Sequence, residues 1–112
     1  MNKFLTTDFI NWIQFQGHRL EKAYPSNNER EVLYSRLVKL MEETGELANA
    51  VGSHFKQQRS EKYINDVESI ISNECADVII TTLLIGLKLN LNIDLAIAKK
   101  VELIDERFSK FN

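Results

Sequence analysis

Apolar residues recur at helical spacing along most of this chain, in four stretches separated by polar breaks. The first stretch follows two candidate N-cap residues, Thr6 and Thr7, and ends near Tyr24 because Pro25 cannot continue a helix. Its stripe at helical spacing consists of Phe9, Ile13, Gln16, Leu20 and Ala23. The pattern predicts an amphipathic helix with one buried side.

A second, longer helix is predicted after Ser26-Asn27-Asn28-Glu29, which fits a capping box. Its stripe covers about five turns at 3.6 residues per turn. The stripe consists of Leu33, Leu37, Leu40, Thr44, Leu47 and Val51. Residues from Gly52 to Asp66 are mostly polar, so we expect a frayed helix end followed by a loop.

The third stretch is the most apolar part of the chain. Asn65 with Glu68 is a candidate cap for its helix, and the residues from Val78 to Leu89 are apolar nearly all round. A helix that is apolar on every side must be buried on every side. Since few other helices are available in so short a chain, we expect a second copy of the chain to cover the far face.

A polar break, Asn90-Leu91-Asn92, precedes the last stretch, and Asn92 can cap a fourth helix. The buried stripe of that helix is predicted to be Ile97, Val101, Ile104, Phe108 and Phe111. We find no strand pattern, internal repeat or second domain. The sequence therefore predicts an all-α, four-helix bundle that forms a single domain over residues 1–112 and assembles as a helical dimer or dimer of dimers.

Composition and charge exclude several classes of protein to which the chain could belong. The net charge of −2 over 112 residues provides no basic surface for duplex nucleic acid. The single Cys75 cannot form an internal disulfide, which fits a reducing compartment. The start of the chain lacks the apolar core of a signal peptide, and no apolar run reaches the ~20 residues of a membrane span. We therefore expect a cytoplasmic protein without a membrane partner.

Two pairs of acidic residues on otherwise apolar helices indicate a candidate metal-binding site. Glu43 and Glu46 are three residues apart in the second helix, and Glu74 and Asp77 are three apart in the third, so each pair shares a helix face. Four carboxylates brought together by antiparallel packing would repel one another, and burial would raise their pKa values. Mg²⁺ or Mn²⁺ would compensate, because hard divalent cations prefer carboxylate oxygens. Glu42 points more toward solvent.

Other metal and nucleophile chemistries are disfavoured by the residues present. A di-iron carboxylate bundle needs Glu-x-x-His, and neither His18 nor His54 lies three residues after a glutamate. Zinc would need more His or Cys. Cys75 has no His nearby in sequence, so we expect a buried apolar role for it rather than a nucleophile. His18 is expected at the surface or in packing.

The acidic segments Glu42-Glu43-Thr44-Gly45-Glu46 and Glu74-Cys75-Ala76-Asp77 resemble the Glu-Glu-x-x-Glu and Glu-x-x-Asp motifs of MazG-like nucleoside triphosphate pyrophosphohydrolases. This all-α superfamily also includes dimeric dUTPases, dCTP pyrophosphatases and phosphoribosyl-ATP pyrophosphohydrolases. The four predicted helices cover nearly the whole chain, so the resemblance is to an entire minimal domain. The paired motif is fairly specific, whereas either half alone would be weak.

The resemblance implies that the chain binds Mg²⁺ through carboxylates and hydrolyses a nucleoside triphosphate to the monophosphate and pyrophosphate. The implied metal ligands are Glu43, Glu46, Glu74 and Asp77, with Glu42 and Glu43 as the candidate catalytic carboxylates. The implied substrate contacts are Lys100 and Arg107 for phosphate and Trp12 and Phe15 for the base, with Lys56 as a further basic candidate. Many members have Asn four residues after the lysine, whereas this chain has Ile104.

Several alternatives remain open at this point. Trp12 and Phe15 could equally pack in the core, and the basic segment with Lys56, Arg59 and Lys62 could be a solvated loop. The chain could instead hydrolyse phosphoribosyl-ATP. It could also be a non-catalytic helical module that senses a nucleotide or a metal.

Overall fold

The computed structural model describes residues 2–57 and 64–112, with the side chains of Lys56, Gln57, Ile64 and Asn65 outside the description. All secondary structure in these residues is helical, which confirms the predicted all-α, four-helix architecture. The elements are α1 (Thr7–Ala23), α2 (Glu29–Gln57), α3 (Ile64–Lys88) and α4 (Ile93–Arg107), followed by a short 3₁₀ helix (Ser109–Phe111).

The helix starts are set by side-chain caps. Thr6 caps α1, because its hydroxyl accepts a hydrogen bond from the Phe9 amide at 3.1 Å. At α2 the cap is Asn28, whose Oδ1 accepts from the Arg30 amide at 2.9 Å. The predicted capping box from Ser26 to Glu29 is therefore wrong in its register. The Ser26 hydroxyl donates instead to the Glu31 carboxylate at 2.9 Å, one turn into the helix.

Helix α2 is longer than its apolar pattern predicted. The segment expected to fray from Gly52 onward is helical as far as Gln57. One glycine costs about 1 kcal/mol against alanine, too little to end a long helix that is held elsewhere along its length. Helix α3 begins at Ile64, so Asn65 lies inside the helix and not at its N-cap.

The corner between α3 and α4 follows the predicted polar break. Asn90 adopts a left-handed backbone conformation with φ of 58°, which asparagine tolerates better than most residues. The Leu91 amide donates to the Gly86 carbonyl at 2.9 Å, and the Asn90 amide donates to the Leu87 carbonyl at 3.0 Å. Asn92 then caps α4 as predicted, because its Oδ1 accepts from the Leu95 amide at 3.0 Å.

The chain divides into two compact units, which we describe separately. One unit contains the part up to Pro25 together with Gly86–Asn112. Its polar anchor is the buried Asp94 carboxylate, which accepts hydrogen bonds from the amides of Leu5, Phe4 and Lys3 at 2.7 to 2.9 Å. These three donors hold the pKa of Asp94 below its usual value. The chain before α1 is thereby tied to the start of α4.

The other unit, Ser26–Ile85, consists of α2 and most of α3. Its buried apolar side chains are Ala50, Val67, Leu83 and Leu84, and the buried polar ones are Arg36, Glu43 and Thr81. Among the described residues of this unit, two of the buried side chains, Arg36 and Glu43, are of charged types that are seldom buried without partners. The prediction of one domain over the whole chain stays a prediction.

Helix α3 is only partly covered in the single chain. Leu83 and Leu84 are buried, whereas Ile79 is 53% exposed and Ile70 is 50% exposed in the single chain. By length and composition, Asp66–Lys88 would suffice to cross a membrane, a test that core helices also pass. The sequence contains the acids Glu74 and Asp77 in the middle of that stretch. Evidence for a membrane span is therefore weak.

Candidate metal centre

The buried face of α2 is rotated from the predicted stripe. Leu37 and Val51 of that stripe are 47% and 37% exposed, and Thr44 is exposed as well. The face turned inward, buried or partly buried, consists of Arg36, Leu40, Glu43, Leu47 and Ala50, again at steps of four and three. Leu40 and Leu47 belong to both lines, so the apolar pattern identified the right side of the helix. It missed the polar residues at the centre of that side.

Three carboxylates from α2 and α3 form a cluster. One oxygen each of Glu43, Glu46 and Glu74 lies within 4.8 Å of the others. Glu43 is 5% exposed and Glu74 is half-buried, whereas Glu46 is exposed. We call these three residues the acidic cluster. Its placement agrees with the predicted meeting of the two acidic pairs across antiparallel helices, and it brings together three of the four predicted metal ligands.

Burial and mutual repulsion act most strongly on Glu74. Its pKa is raised above the usual value for glutamate, first because burial disfavours the charged form and then because Glu46 is negatively charged nearby. A hydrogen bond with Glu46 raises the pKa further by favouring the protonated acid, and the charges on Glu43 and Asp77 act in the same direction. Burial and the neighbouring carboxylates therefore both disfavour the charged form of Glu74.

Two oxygens of the acidic cluster have no partner for hydrogen bonding. Glu43 Oε2 and Glu74 Oε2 are both buried and make no hydrogen bond. Buried carboxylate oxygens in native proteins normally accept hydrogen bonds or bind a cation. The donor set contains only carboxylate oxygens, which suits Mg²⁺ or Mn²⁺ and does not suit metals that select sulfur or imidazole. The residues present therefore fit a hard divalent cation.

Lys39 is a partner of the cluster that the sequence interpretation did not include. Its Nζ lies 3.1 Å from Glu43 Oε1 and 3.7 Å from Glu42 Oε2. The hydrogen bond to Glu43 and the negative charge of that residue raise the pKa of Lys39. Lys39 is four residues before Glu43, a spacing at which helical neighbours meet, so the signal was present in the sequence. This ammonium group neutralises one side of the cluster.

The other two predicted acids lie at the edge of this arrangement. The Glu42 side chain is 58% exposed, as its predicted direction toward solvent requires. Asp77 is exposed, one turn along α3 from Glu74, and is not among the three residues whose oxygens meet. Its charge acts on Glu74. A role for Asp77 as a metal ligand stays a prediction.

The predicted substrate contacts belong to the other compact unit or lie outside the described side chains. Trp12 and Phe15 of α1 are 40% and 54% exposed, so core packing within the single chain does not explain them. The guanidinium of Arg19 lies 4.4 Å from the centre of the Phe15 ring. Lys100 and Arg107 are exposed on α4. Lys56 lies in α2 but its side chain is outside the description, and Arg59 and Lys62 are outside the described residues.

Two side chains that the sequence analysis set aside as non-catalytic are both exposed. His18 is exposed, as expected. Cys75 is exposed as well, so the expectation that it is a buried apolar residue is wrong for the single chain. Its position directly after Glu74 turns it about 100° away from the acidic cluster.

Carboxylate oxygens are the ligands that hard divalent cations prefer, and a cation held by them would attract an anionic group such as a phosphate. Glu42 is exposed beside the acidic cluster and could accept a proton from water. Hydrolysis of a phosphate anhydride would use both features. Comparison with protein-family models, with curated proteins and with solved structures finds no match to this chain.

Proposed function

We propose that this chain is a Mg²⁺-dependent nucleoside triphosphate pyrophosphohydrolase of the MazG-like type. The observation that supports the proposal most is the pair of buried oxygens without partners, Glu43 Oε2 and Glu74 Oε2, within the acidic cluster. A structural role would leave these oxygens desolvated at a cost in stability. A cation-binding role explains them, and the two motifs described above connect that cation to nucleotide hydrolysis.

In the proposed enzyme, Glu43, Glu46 and Glu74, joined by Asp77, hold the cation. Bound Mg²⁺ would neutralise charge on the phosphoryl oxygens of the substrate. Glu42 lies beside the cluster with an exposed side chain, so it is placed to orient a water molecule and accept its proton. Glu43 is the second candidate catalytic carboxylate. It forms an ion pair with Lys39 and also belongs to the acidic cluster.

The proposed reaction consumes one water molecule. The water oxygen bonds to the α-phosphorus, and the bond from that phosphorus to the bridging oxygen breaks. Pyrophosphate leaves with the bonding electrons, and the water proton passes to the carboxylate. The products are the nucleoside monophosphate and pyrophosphate.

The proposal assigns recognition of the substrate to the residues that the resemblance implies. Lys100 and Arg107 would bind phosphate oxygens, with Lys56 as a further basic contact. Trp12 and Phe15 would stack on the base, and such stacking is worth about 1–3 kcal/mol per base. Their exposure in the single chain supports this assignment over a core role. The protein would act in the cytoplasm as a homodimer or homotetramer, clearing surplus or non-canonical nucleotides.

The first test is a panel of nucleoside and deoxynucleoside triphosphates with purified protein and Mg²⁺ or Mn²⁺. We expect release of pyrophosphate with the monophosphate from at least one of them. Orthophosphate as the only product contradicts the proposal, and so does the absence of turnover. Phosphoribosyl-ATP is assayed in parallel, because preferential turnover of that substrate would favour the alternative enzyme. Tight nucleotide binding without turnover would favour a sensing module.

Glu74→Gln tests the site itself. The substitution keeps the shape of the side chain and removes its charge, so we expect turnover to be abolished while the chain stays folded. Circular dichroism checks the fold and the nucleotide assay checks the activity. A folded variant with wild-type activity would show that Glu74 does not bind the cation.

A further inference from the structure

A buried arginine lies in α2 on the same side as the acidic cluster, and the proposed chemistry does not use it. Arg36 is 8% exposed, and its Nη1 donates a 2.9 Å hydrogen bond to the Leu84 carbonyl oxygen of α3. Arginine is rarely buried without specific partners because its charge is costly to remove from water. The hydrogen bond to Leu84 is one of the interactions that hold Arg36 in this position.

The bond from Arg36 to Leu84 matches the register of the acidic cluster. Arg36 lies ten residues before Glu46 in α2, and Leu84 lies ten residues after Glu74 in α3. Antiparallel helices packed without slippage show this equal spacing, which corresponds to about 15 Å along each helix. The arginine bond and the meeting of Glu46 with Glu74 therefore belong to a single alignment of the two helices.

The two ends of this alignment behave differently. At the cluster, carboxylate oxygens from α2 and α3 lie within 4.8 Å of one another, and like charges at this distance repel. At the other end, the apolar contacts of Leu83 and Leu84 have no directional preference. The Arg36 hydrogen bond does have one, and its acceptor is a main-chain atom of α3, so it holds the helix backbone rather than a side-chain rotamer.

We propose that Arg36 is a positioning residue for the cation site, holding α2 and α3 in the register that brings Glu43 and Glu46 to Glu74. This inference rests on the cation-binding part of the proposed function. Mg²⁺ requires near-ideal octahedral geometry with oxygens at about 2.0–2.1 Å, so a small slip of one helix disturbs it. Loss of the arginine bond then weakens cation binding although no ligand is altered.

The test is Mn²⁺ affinity, measured by isothermal titration calorimetry without nucleotide and well below the melting temperature. Supporting residues around metal ligands typically contribute about 10- to 100-fold to metal affinity, and we expect a loss in this range for Arg36→Met. Arg36→Lys keeps the charge without the planar donor group and should lose less. Arg30→Met, a control at an exposed arginine of the same helix, should bind Mn²⁺ like the wild type.

Each outcome decides the matter. A folded Arg36→Met with wild-type Mn²⁺ affinity and only a lower melting temperature gives Arg36 a purely structural role and overturns the proposal. If Arg36→Met does not fold, Arg36→Lys takes its place, and wild-type affinity there overturns the proposal as well. Failure of both to fold also counts against it. If the wild-type protein does not bind Mn²⁺, there is no cation site and the proposal for Arg36 fails with it. If it binds Mn²⁺ but turns over no nucleotide, only the proposed enzymatic activity is refuted.

Discussion

The carboxylates of the acidic cluster repel one another, and the surrounding residues relieve this repulsion only in part. Glu74 carries a raised pKa, and Lys39 contributes a single ammonium group on the opposite side of Glu43. Two buried oxygens remain without hydrogen bonds. Such local conflict lowers stability, and in native proteins it occurs most often at functional sites. We therefore expect that removal of a negative charge from the cluster stabilises the fold and weakens cation binding.

The pH dependence of stability should show the conflict at Glu74. A carboxyl group whose pKa is higher in the folded chain stabilises that state below its unfolded pKa of about 4.3, and this contribution is lost as pH rises through the folded-state pKa. Glu74→Gln lacks this titration. In metal-free buffer, the melting temperature of the variant minus that of the wild type should therefore increase as pH rises from about 4.

The matched control for this measurement is Glu68→Gln, at an exposed glutamate of the same helix, for which no comparable rise is expected. Saturating Mg²⁺ should reverse the order of wild type and Glu74→Gln, because a ligand of the folded state raises its melting temperature. If the difference in melting temperature between Glu74→Gln and the wild type in metal-free buffer does not change with pH, the pKa of Glu74 is not raised by folding.

Under the proposed function, Lys39 would compete with a divalent cation for Glu43, because its Nζ lies 3.1 Å from Glu43 Oε1. Lys39→Met should therefore tighten Mn²⁺ binding, by up to about fivefold, since solvent screens the exposed lysine and limits what its ion pair contributes. Titration calorimetry of the variant against wild type measures the change. Lys99→Met, at an exposed lysine of α4, is the control for loss of one positive charge. Weaker Mn²⁺ binding by Lys39→Met would show that Lys39 supports the site instead of competing for it.

At the scale of the helices, two glycines differ in the space around them: Gly86 is closely packed and Gly45 is open. A Cβ at Gly86 in α3 would lie 2.7 Å from Ile93 Cγ1 and 2.8 Å from Ile93 Cδ1, whereas one at Gly45 in α2 would meet nothing within 4 Å. Gly86 therefore lets the corner into α4 close tightly. Gly45 has no such packing reason, although it lies between two acids of the motif and lowers the helix propensity of α2.

Alanine substitutions should therefore have opposite effects at these two glycines. Gly86→Ala should destabilise the chain by about 1–3 kcal/mol through overpacking. Gly45→Ala should stabilise it by about 0.5–1 kcal/mol, as in other helix interiors. Urea unfolding measures both. If Gly45→Ala gains stability and loses nucleotide turnover, the bare backbone serves ligand approach; Gly52→Ala, also in open space, is the control. Equal effects at Gly86 and Gly45 would contradict the packing.

For the molecule as a whole, the exposed apolar surface is large for a single chain. Exposed apolar and aromatic side chains occur on every helix, including Trp12, Met41, Phe55, Ile79 and Leu103. Extended apolar surface commonly marks an interface between proteins. The far side of α3, predicted from sequence to contact a second copy, is part of this surface. The proposal of a symmetric oligomer draws on both observations.

We expect sedimentation to give two or four times the chain mass of 13.0 kDa. Ile79→Lys places a charge on the exposed side of α3 and should shift the species toward the single-chain mass, because burying an unpaired charge in an interface is costly. Glu102→Lys, at an exposed polar position of α4, should leave the mass unchanged. A wild-type protein that sediments as a single chain at micromolar concentration would contradict the assembly.

Local patterns in the chain were enough to predict four helices, the stop at Pro25, the caps Thr6 and Asn92, and the two acidic pairs. These features depend on neighbours within a few residues, so the sequence alone determines them. The rotation of the inward face of α2 onto Arg36 and Glu43 could not be predicted in this way, because periodicity counts apolar residues and these two are charged. Their partners include groups of α3, the Leu84 carbonyl for Arg36 and the Glu74 carboxylate for Glu43. Contacts between distant parts of the chain bring these groups together, and only the folded structure contains them.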